Sequence, residues 1–597
     1  MPTRRNFLKG ISMASIAGLP GRVPALTPAP AGSPSELPDE YFRRMAKWCD
    51  VVRKHLHEHP ETRLSELEAQ RGWYHFPYTV LPAAVLYALP NRANPWHGSA
   101  EMLAFTIAIG DLLVREDLAG SFSPRLDSYR DVYHWLEAYG LIKGKLDASS
   151  AVAWKAALTR NVALLVPELK AWKDVAAYTE NFLGTSPNHF AWWAATVLTG
   201  GVQLGNAEWM ELGKSVLRRF ATTEQNPDGY WGEHNTNSPT GGYNYLSTLA
   251  VGVYWEHTHD PDALEALRRA TAFHSATTYS DGNLIELFND RNRYWEVSPW
   301  GQFAFTHFPM GRGYAQMLTR NIPDDEIDLD TLGLLGVNAL YYHAGPVAPC
   351  PQERERYVWR LAGPAGLRKS GDWSVALCGI VDTPLPRSQW FLERQANLSV
   401  FHERVGLILS GANSKHQPEL ATFGEHIADV WETGPRGGRL EQTEAGDLLA
   451  VAHNSFSAEI FVPPIALHAE SMEIVFRING RGPVPDDAVI GLQLNLTQGK
   501  ELRSATGKAA TVSKDAVVWA SAELGGELGH ADWSLAVDSE ASLQWPVFPY
   551  NPYRNGPETK LEHAVALLRV PLKLKADPDH WLQVNERIIR VRLTVRK

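Results

Sequence analysis

Apolar residues follow two different spacings along this chain, and the change from one to the other near residue 350 excludes most folds. Before it, they recur at intervals of three and four, as on one face of a helix. After it, short alternating runs are typical of strands, as where Ile589, Val591, Leu593 and Val595 alternate with polar residues. Helices followed by many strands predict two structural units in sequence.

The helical segments lie between residues 36 and 345 and are joined by loops rich in Pro, Gly, Asn and Asp. They cover residues 41–57, 100–116, 150–165, 192–204, 209–222, 245–259 and 262–277. The strand-like runs cover residues 373–380, 398–409, 458–461, 473–478, 489–496, 516–522, 564–574 and 588–595.

Helices of this length are typical either of an open α-solenoid or of hairpins closed into an (α/α) toroid. The chain shows no strict repeat of the kind that solenoids have. We therefore predict an α+β multidomain fold. Residues 34–350 would form an (α/α) toroid, an incomplete helical barrel, and residues 351–597 an antiparallel β-sandwich.

The N-terminus carries an export pattern. Arg4-Arg5 is followed by Phe7-Leu8-Lys9, an apolar run over residues 11–19, and a stretch rich in Pro and Ala to about residue 33. Paired arginines before an apolar run are typical of twin-arginine signals, and three cysteines fit folding in a reducing compartment before export. We predict that residues 1–33 are a signal and linker and that the mature protein is periplasmic or extracellular, without membrane insertion.

The formal net charge of -10 argues against nucleic acid as a partner. An acidic ligand would have to be met by a local cluster of Arg, Lys and His. The 21 tryptophans are many for such a chain, and they supply either core packing or platforms that stack on flat ligand faces.

One segment concentrates residues that could do chemistry. From Asp228 to Tyr245 it reads Asp-Gly-Tyr-Trp-Gly-Glu-His-Asn-Thr-Asn-Ser-Pro-Thr-Gly-Gly-Tyr-Asn-Tyr. His234 and Tyr243 flank a Pro-Thr-Gly-Gly turn, and the next helix is predicted to begin at about Tyr243. The glycines allow a sharp turn that brings this helix start close to His234. The alternative is a loop histidine and a helix tyrosine that only pack.

This segment resembles the His…Thr-Gly-Gly-Tyr segment of the lyases for hyaluronan, chondroitin and xanthan (polysaccharide lyase family 8), which have a toroid followed by antiparallel β domains. The resemblance implies that His234 and Tyr243 are catalytic. Upstream, Asn188-His189 resembles the Asn-His pair of the heparinase and oligoalginate lyase groups and follows a Gly-x-x-Pro segment near the place where family 8 supplies a catalytic Asn. A catalytic Asn188 and a substrate-binding His189 are implied, although helix capping or packing would explain both.

The stretch Phe288 to Trp295 lies where family 8 has two arginines four residues apart, and here the candidate catalytic residues Arg291 and Arg293 are two apart. The resemblance implies that at least one of them contacts substrate, whereas solvated loop charges are the alternative.

Aromatic residues near these motifs are candidate sugar-binding platforms. Trp231, three residues before His234, is the favoured one, because an indole there could hold a pyranose ring over the catalytic pair. Trp192, Tyr245 and Trp295 are further substrate-binding candidates, and core packing is the alternative for each.

The implied reaction is β-elimination on a uronate of an acidic polysaccharide. An amide and cationic or imidazole donors would neutralise the carboxylate and stabilise the developing enolate, for which Asn188 with His189 or an arginine is the candidate. Tyr243 would remove the C5 proton and return it to the leaving O4, helped by nearby positive charge. His234 would position the carboxylate or share the proton transfer.

The implied elimination needs no cofactor, and the chain shows no compact metal-ligand motif. The histidines of the β half lack the short spacing of metal sites: His402, His416, His426 and His453. We therefore predict neither a cofactor nor a metal.

Two other functions stay open. Glu233 and Asp228 could be the acid and base of a glycoside hydrolase on the same scaffold, with His234 and Tyr243 as bystanders. A non-catalytic glycan-binding protein would need only the aromatic platforms.

Overall fold

A computed structural model describes residues 36–121, 129–181, 183–233, 239–288, 297–325, 327–381, 396–411, 418–427, 430–432, 434–481, 487–538, 540–549, 560–574 and 584–596. The predicted signal and linker, residues 1–33, lie outside them. Within these ranges, no helix combines the length and the apolar character needed to cross a membrane.

Helices make up the chain as far as Leu340. They are α1 (Leu37–Glu58), α2 (Leu64–Arg71), α3 (Val80–Ala88), α4 (Ala100–Leu118), α5 (Tyr129–Ile142), α6 (Ala148–Ala163), α7 (Leu165–Trp172), α8 (Pro187–Leu204), α9 (Ala207–Arg219), α10 (Gly241–Thr258), α11 (Pro261–Ala276), α12 (Gln302–Phe305), α13 (Pro309–Arg320) and α14 (Leu329–Leu340). All the predicted helical segments are helices here, and a turn of π-helix over Phe220–Glu224 extends α9.

Short polar side chains set several helix starts. Asp147 accepts hydrogen bonds from the backbone N–H groups of Ser149 and Ser150 at the start of α6, at 2.8 and 3.0 Å. Asn206 accepts from the N–H of Trp209 at the start of α9, at 3.1 Å. Each bond satisfies a backbone donor that the first helical turn leaves without a partner.

The helices pack around one continuous apolar core that includes fully buried tryptophans. The rings of Trp135 on α5 and Trp154 on α6 meet edge to face with centroids 5.7 Å apart. On α4, Gly110 leaves room for the Trp154 indole, which a β-carbon at that position would overlap at 1.8 Å. Close packing of this kind explains much of the high tryptophan content.

Three helices run parallel and begin at the same end of the toroid. Rings of Tyr129 and His189, near the starts of α5 and α8, lie 5.8 Å apart, and the Cβ position of Gly140 meets the side chain of Gln203 near their ends. For α8 and α10, Thr199 Oγ1 lies 3.3 Å from His257 Nε2 near the two C-terminal ends. We refer to this shared start as the N-terminal end of the toroid.

The chain from Arg356 onward consists mainly of strands. They are β1 (Arg356–Arg360), β2 (Ala365–Ser370), β3 (Trp373–Cys378), β4 (Leu398–His402), β5 (Gly406–Ser410), β6 (Phe423–Ile427), β7 (Val430–Glu432), β8 (Gly437–Thr443), β9 (Gly446–Ala452), β10 (Phe456–Val462), β11 (Ser471–Arg481), β12 (Val489–Asn495), β13 (Glu501–Ser504), β14 (Ala509–Thr511), β15 (Val517–Trp519), β16 (Glu527–His530), β17 (Trp533–Val537), β18 (Ser542–Val547), β19 (Val565–Pro571) and β20 (Val584–Val595), with a short helix α15 (Ser521–Leu524).

In the described residues these strands form two antiparallel sheets. One has the order β1-β2-β3-β4-β5-β12-β19-β18-β15, with β6 paired to β12 and β7 paired to β6, and the other has the order β14-β13-β16-β17-β20-β11-β10-β9-β8. The two sheets share one apolar core. The predicted alternation in the last strand is confirmed, because Ile589, Val591, Leu593 and Val595 are buried in that core. Side chains from two sheets that interdigitate in this way are typical of a β-sandwich.

The toroid and the sandwich meet across a mixed apolar and polar interface. The ring of Tyr279 stacks on Phe401 with centroids 4.6 Å apart, and its hydroxyl lies 2.6 Å from Ser399 Oγ. Glu286 accepts hydrogen bonds from Ser399 Oγ at 2.6 Å and from the N–H of Gly411 at 2.7 Å. The predicted division after residue 350 falls between the last toroid helix and the first strand.

Candidate active site

Asn188 and Tyr243 both lie at the N-terminal end of the toroid. Asn188 is in the first turn of α8 and Tyr243 in the first turn of α10. Trp300 and Gly301 lie between the two helices: the Trp300 ring meets Trp192 of α8 at 5.0 Å, and Gly301 lies against the carbonyl of Tyr245 in α10. The sequence motifs around residues 188 and 243 therefore lie at the same end of the toroid.

The electrostatics of this end favour an acidic ligand. Backbone N–H groups at the start of a helix carry a partial positive charge, and three parallel helices direct theirs to the same region. The helix starts therefore give this end a local positive potential, although the net charge of the whole chain is negative.

Tyr243 is half-buried and packs against the toroid core. Its backbone N–H donates to the carbonyl of Thr240, the residue before α10 begins at Gly241, at 3.0 Å. The predicted helix start near Tyr243 is thus accurate to within two residues.

The described residues that precede His234 are bonded to the first turn of α10. A β-bridge joins Gly232 and Pro239, which stand on either side of His234 in the sequence. The next residue after Tyr243, Asn244, bonds with its side chain to the backbone of Trp231, at 2.5 Å to the N–H and 2.9 Å to the carbonyl. His234 itself lies outside the described residues, so its predicted role stays a prediction.

Asn188 is buried, with 3% of its surface exposed. Its Oδ1 accepts a hydrogen bond from Ser186 Oγ at 2.6 Å, whereas its Nδ2 has no hydrogen-bond partner among the described residues. The helix-capping alternative is wrong, because Ser186 holds the cap position of α8 and Asn188 lies inside the helix. A buried amide donor without a partner is costly unless a ligand satisfies it.

His189 lies next to Asn188 and faces Tyr129. Its Nδ1 is 3.4 Å from Thr185 Oγ1. Burial, aided by the nearby charge of Arg130, lowers the pKa of His189 to about 4, so the imidazole is neutral at neutral pH. A neutral imidazole can still donate a hydrogen bond to a ligand.

Arg130 is a cation of this site that the sequence motifs do not include. Its guanidinium lies 5.8 Å from the centroid of the Tyr129 ring and 6.0 Å from that of Trp192. Burial acts to lower the pKa of Arg130, but the surrounding tyrosines and Asp330 outweigh burial and raise it. The cluster of aromatic and ionisable residues at positions 129–135 is the sequence signal that could have identified it.

Three predicted sugar-binding residues are core residues instead. Trp231 is 2% exposed, and its indole N–H donates to the carbonyl of Phe220 at 2.9 Å. Trp192 and Tyr245 are fully buried, and the Tyr245 hydroxyl is bonded to that of Tyr314 at 2.6 Å. Because their rings face other side chains, the stacking role predicted for them is wrong.

The remaining predicted residues, Arg291, Arg293 and Trp295, lie outside the described residues. Of the two carboxylates considered for hydrolysis, Glu233 is buried. Asp228 accepts a hydrogen bond from the N–H of Ala362 at 2.8 Å and so takes part in the contact with the sandwich.

No family model and no curated protein matches this chain. Among solved structures, the chondroitin AC lyase of Streptomyces coelicolor A3 in complex with chondroitin sulphate is similar, with a TM-score of 0.52 and 12% sequence identity over 94% of this chain and 80% of that chain. A mutant of the same lyase has a TM-score of 0.50 and 13% identity over the same shares. A β-L-arabinofuranosidase from Geobacillus stearothermophilus T6 reaches only 0.29 at 10% identity, over 95% of this chain and 99% of that chain. The predicted fold is therefore confirmed: a helical toroid followed by antiparallel sheets, as in chondroitin AC lyase.

Proposed function

We propose that this protein is a polysaccharide lyase that cleaves a uronic-acid-containing polysaccharide by β-elimination and leaves a 4,5-unsaturated uronate at the new non-reducing end. The observation that carries the proposal is the buried Nδ2 of Asn188, a donor without a partner in the described part of the chain, at the same end of the toroid as Tyr243. The fold shared with chondroitin AC lyase supports it.

The substrate carboxylate would be neutralised by donors on α5 and α8. Asn188 Nδ2 donates one hydrogen bond to it, and His189 is placed one residue further along the same helix. Arg130 adds a full positive charge at the start of α5. Together they would stabilise the negative charge that grows on the carboxylate as the C5 proton leaves, which is the main barrier to this elimination.

Tyr243 would carry the proton between two atoms of the sugar. Its phenolate oxygen takes the C5 proton, the C5–H electron pair becomes the C4=C5 double bond, and the C4–O4 bond breaks. The departing O4 takes the proton back from Tyr243 and leaves as an alcohol, so the enzyme is regenerated. His234, which follows residues bonded to the first turn of α10, would share the proton transfer or hold the carboxylate.

The test is the ultraviolet absorbance of the 4,5-double bond, which is conjugated with the carboxylate. The full chain is incubated with a panel of acidic polysaccharides, beginning with chondroitin sulphate because the structurally similar lyase binds it. New reducing ends with this absorbance support the lyase. New reducing ends without it would support the hydrolase alternative, and glycan binding without cleavage would support a binding protein.

Two tyrosine variants make the test specific for the proton carrier. Tyr243→Phe should abolish cleavage and leave glycan binding intact, because only the phenol oxygen is lost. Tyr245→Phe is the matched control: it removes a phenol from the same helix, but one that bonds Tyr314 in the core. Retained turnover in Tyr243→Phe would remove this residue from the mechanism.

We also propose that residues 1–33 direct export by the twin-arginine route, so that the enzyme acts in the periplasm or outside the cell. Replacing both Arg4 and Arg5 with Lys should retain the protein in the cytoplasm, which cell fractionation measures. Unchanged export of this double variant would contradict the proposal.

A further inference from the structure

The end of the toroid opposite to Tyr243 holds a cluster of ionisable side chains that the proposed elimination does not use. Glu256 lies in the last turn of α10, about 20 Å along the helix from Tyr243 at about 1.5 Å per residue. His307 lies between α12 and α13, and His343 follows the end of α14. Among the described residues, the candidate ligand atoms of these three side chains lie within 4.8 Å of one another.

Both imidazoles point at the same carboxylate oxygen. His343 Nε2 lies 2.7 Å from Glu256 Oε1, and His307 Nε2 lies 3.7 Å from that atom. The two imidazole rings are tilted by 38° to each other, with centroids 4.0 Å apart. Two nitrogens and one oxygen therefore converge from three separate segments of the chain.

His307 provides an independent indication of a ligand. Its side chain is 4% exposed, and its Nε2 is buried with no hydrogen-bond partner among the described residues. Leaving such a group unsatisfied in the interior is costly. A bound ion between the two imidazoles and the carboxylate would supply the missing partner.

From this geometry we propose that Glu256, His307 and His343 bind a divalent transition-metal ion, with Zn²⁺ the preferred one. Two imidazole nitrogens and one carboxylate oxygen are a donor set that suits zinc, and water would complete four-coordinate geometry. His343 is 32% exposed on its side chain, so the fourth position can reach solvent.

The surroundings favour a cation and hold the ligands in place. The C-terminal ends of α10 and α14 direct partial negative charge towards the cluster. Thr306 Oγ1 accepts from the backbone N–H of His343 at 3.0 Å, which ties the two histidine segments together. The Trp255 ring packs edge-on against both imidazoles, at 4.4 Å from His307 and 5.2 Å from His343.

Arg312 is a cation close to the cluster, and it is engaged elsewhere. Its guanidinium donates to the carbonyl of Pro346 at 2.8 Å and to that of Thr306. It thus anchors the same two segments by their backbone. An ion bound to Glu256, His307 and His343 would add a second link, between α10 and the segment that leads into the sandwich.

The experiment is zinc binding by the chelator-treated full chain, followed by calorimetric titration with ZnCl₂ and by thermal unfolding. We expect one ion per chain and a melting temperature that rises with zinc concentration, since the ion binds the folded state. The variants Glu256→Gln and His307→Gln keep similar side-chain volumes and should bind roughly 100-fold more weakly or worse. His97→Ala, which removes an exposed histidine, is the matched control and should bind like the wild type.

Two results would overturn the proposal. One is a wild-type chain that takes up no zinc and shows no change in melting temperature with it. The other is zinc binding that survives unchanged in Glu256→Gln and His307→Gln. Because both readouts are independent of glycan cleavage, they are decided separately from the proposed lyase activity.

Discussion

The side-chain amide of Asn244 is hydrogen-bonded to both backbone groups of Trp231, accepting from its N–H at 2.5 Å and donating to its carbonyl at 2.9 Å. Asn244 follows the proposed proton carrier, Tyr243, and Trp231 precedes the loop that contains His234. One side chain therefore couples the two parts of the chain that the proposed mechanism requires to act together.

We expect Asn244→Ala to weaken both the fold and the activity. Its loss leaves a buried N–H and a buried carbonyl without their partner, which costs about 1–3 kcal/mol in the free energy of unfolding. The rate of cleavage should fall further than this stability loss explains, because the segment that precedes His234 is no longer bonded to the first turn of α10. Denaturant unfolding and the cleavage rate at saturating substrate measure the two effects.

Asn94→Ala is the control for Asn244. The Asn94 side chain also donates to two backbone carbonyls, those of Leu86 and Leu89, at 2.8 Å each. Asn94 follows the C-terminal end of α3. It should lower stability and leave the cleavage rate unchanged. Equal loss of activity in both variants would mean that the Asn244 effect is one of stability alone.

Asn188→Ala should reduce the cleavage rate strongly and the stability only slightly. Only the bond with Ser186 is lost, about 1 kcal/mol of stability, whereas cleavage should fall by roughly 100- to 1,000-fold, as when an enzyme loses one donor to a developing negative charge. Asn206→Ala removes the cap of α9 at a similar cost in stability and should remain active. An active Asn188→Ala would exclude this amide from carboxylate recognition.

Arg130→Gln should reduce kcat/KM by roughly 10- to 100-fold, the value of a charge-assisted hydrogen bond. It should also raise the pKa of His189 above about 4, because the Arg130 charge helps to hold that pKa down. Imidazole NMR signals as a function of pH measure the shift. Arg160→Gln, which removes an arginine paired with Asp117 away from the site, should change neither quantity.

The stability of the protein should fall as the pH drops below about 6.5, the ordinary histidine value. Burial lowers the pKa of His134 and of His274 to about 3, so these imidazoles are neutral in the folded state. The unfolded chain binds more protons between pH 6.5 and about 3, and stability is lost across that window. The loss is at most about 1.4 kcal/mol per pH unit for each group.

The comparison of His274→Phe with Tyr245→Phe tests this pH dependence. The two rings stack with centroids 4.4 Å apart, so each variant changes the same contact. His274→Phe should flatten the slope of unfolding free energy against pH, whereas Tyr245→Phe keeps the imidazole and should keep the slope. Identical slopes in both variants would show that His274 does not titrate on unfolding.

Helices and strands can be predicted from the sequence where one face of the element is apolar and buried in the core. The alternation of Ile589, Val591, Leu593 and Val595 predicts a half-buried strand, and all four are buried. The predicted bounds are less accurate where a turn interrupts a run of apolar residues. Residues 398–409 are predicted as one strand, but a turn at Glu403–Val405 divides them into β4 and β5. Gly406, which follows this turn, has a φ of 76°. The helices α3, α5, α13 and α14 are not among the predicted segments.

The site could be predicted only as far as it is local in sequence. Asn188 and Tyr243 stand in recognisable segments, whereas Arg130 joins them through the parallel packing of α5 against α8. Trp231 shows the reverse error: its neighbours in sequence suggested a platform, but its ring is bonded to Phe220 inside the core.

The amino-acid sequence by itself determined which stretches become helices and which become strands, their order, and the segments that carry Asn188 and Tyr243, because periodicity and turn chemistry act over a few residues. Only the tertiary structure decided which helix ends share a region and which rings are buried. It also brought Glu256, His307 and His343 to one point. Those properties depend on packing between segments far apart in the chain, on which local spacing carries no information.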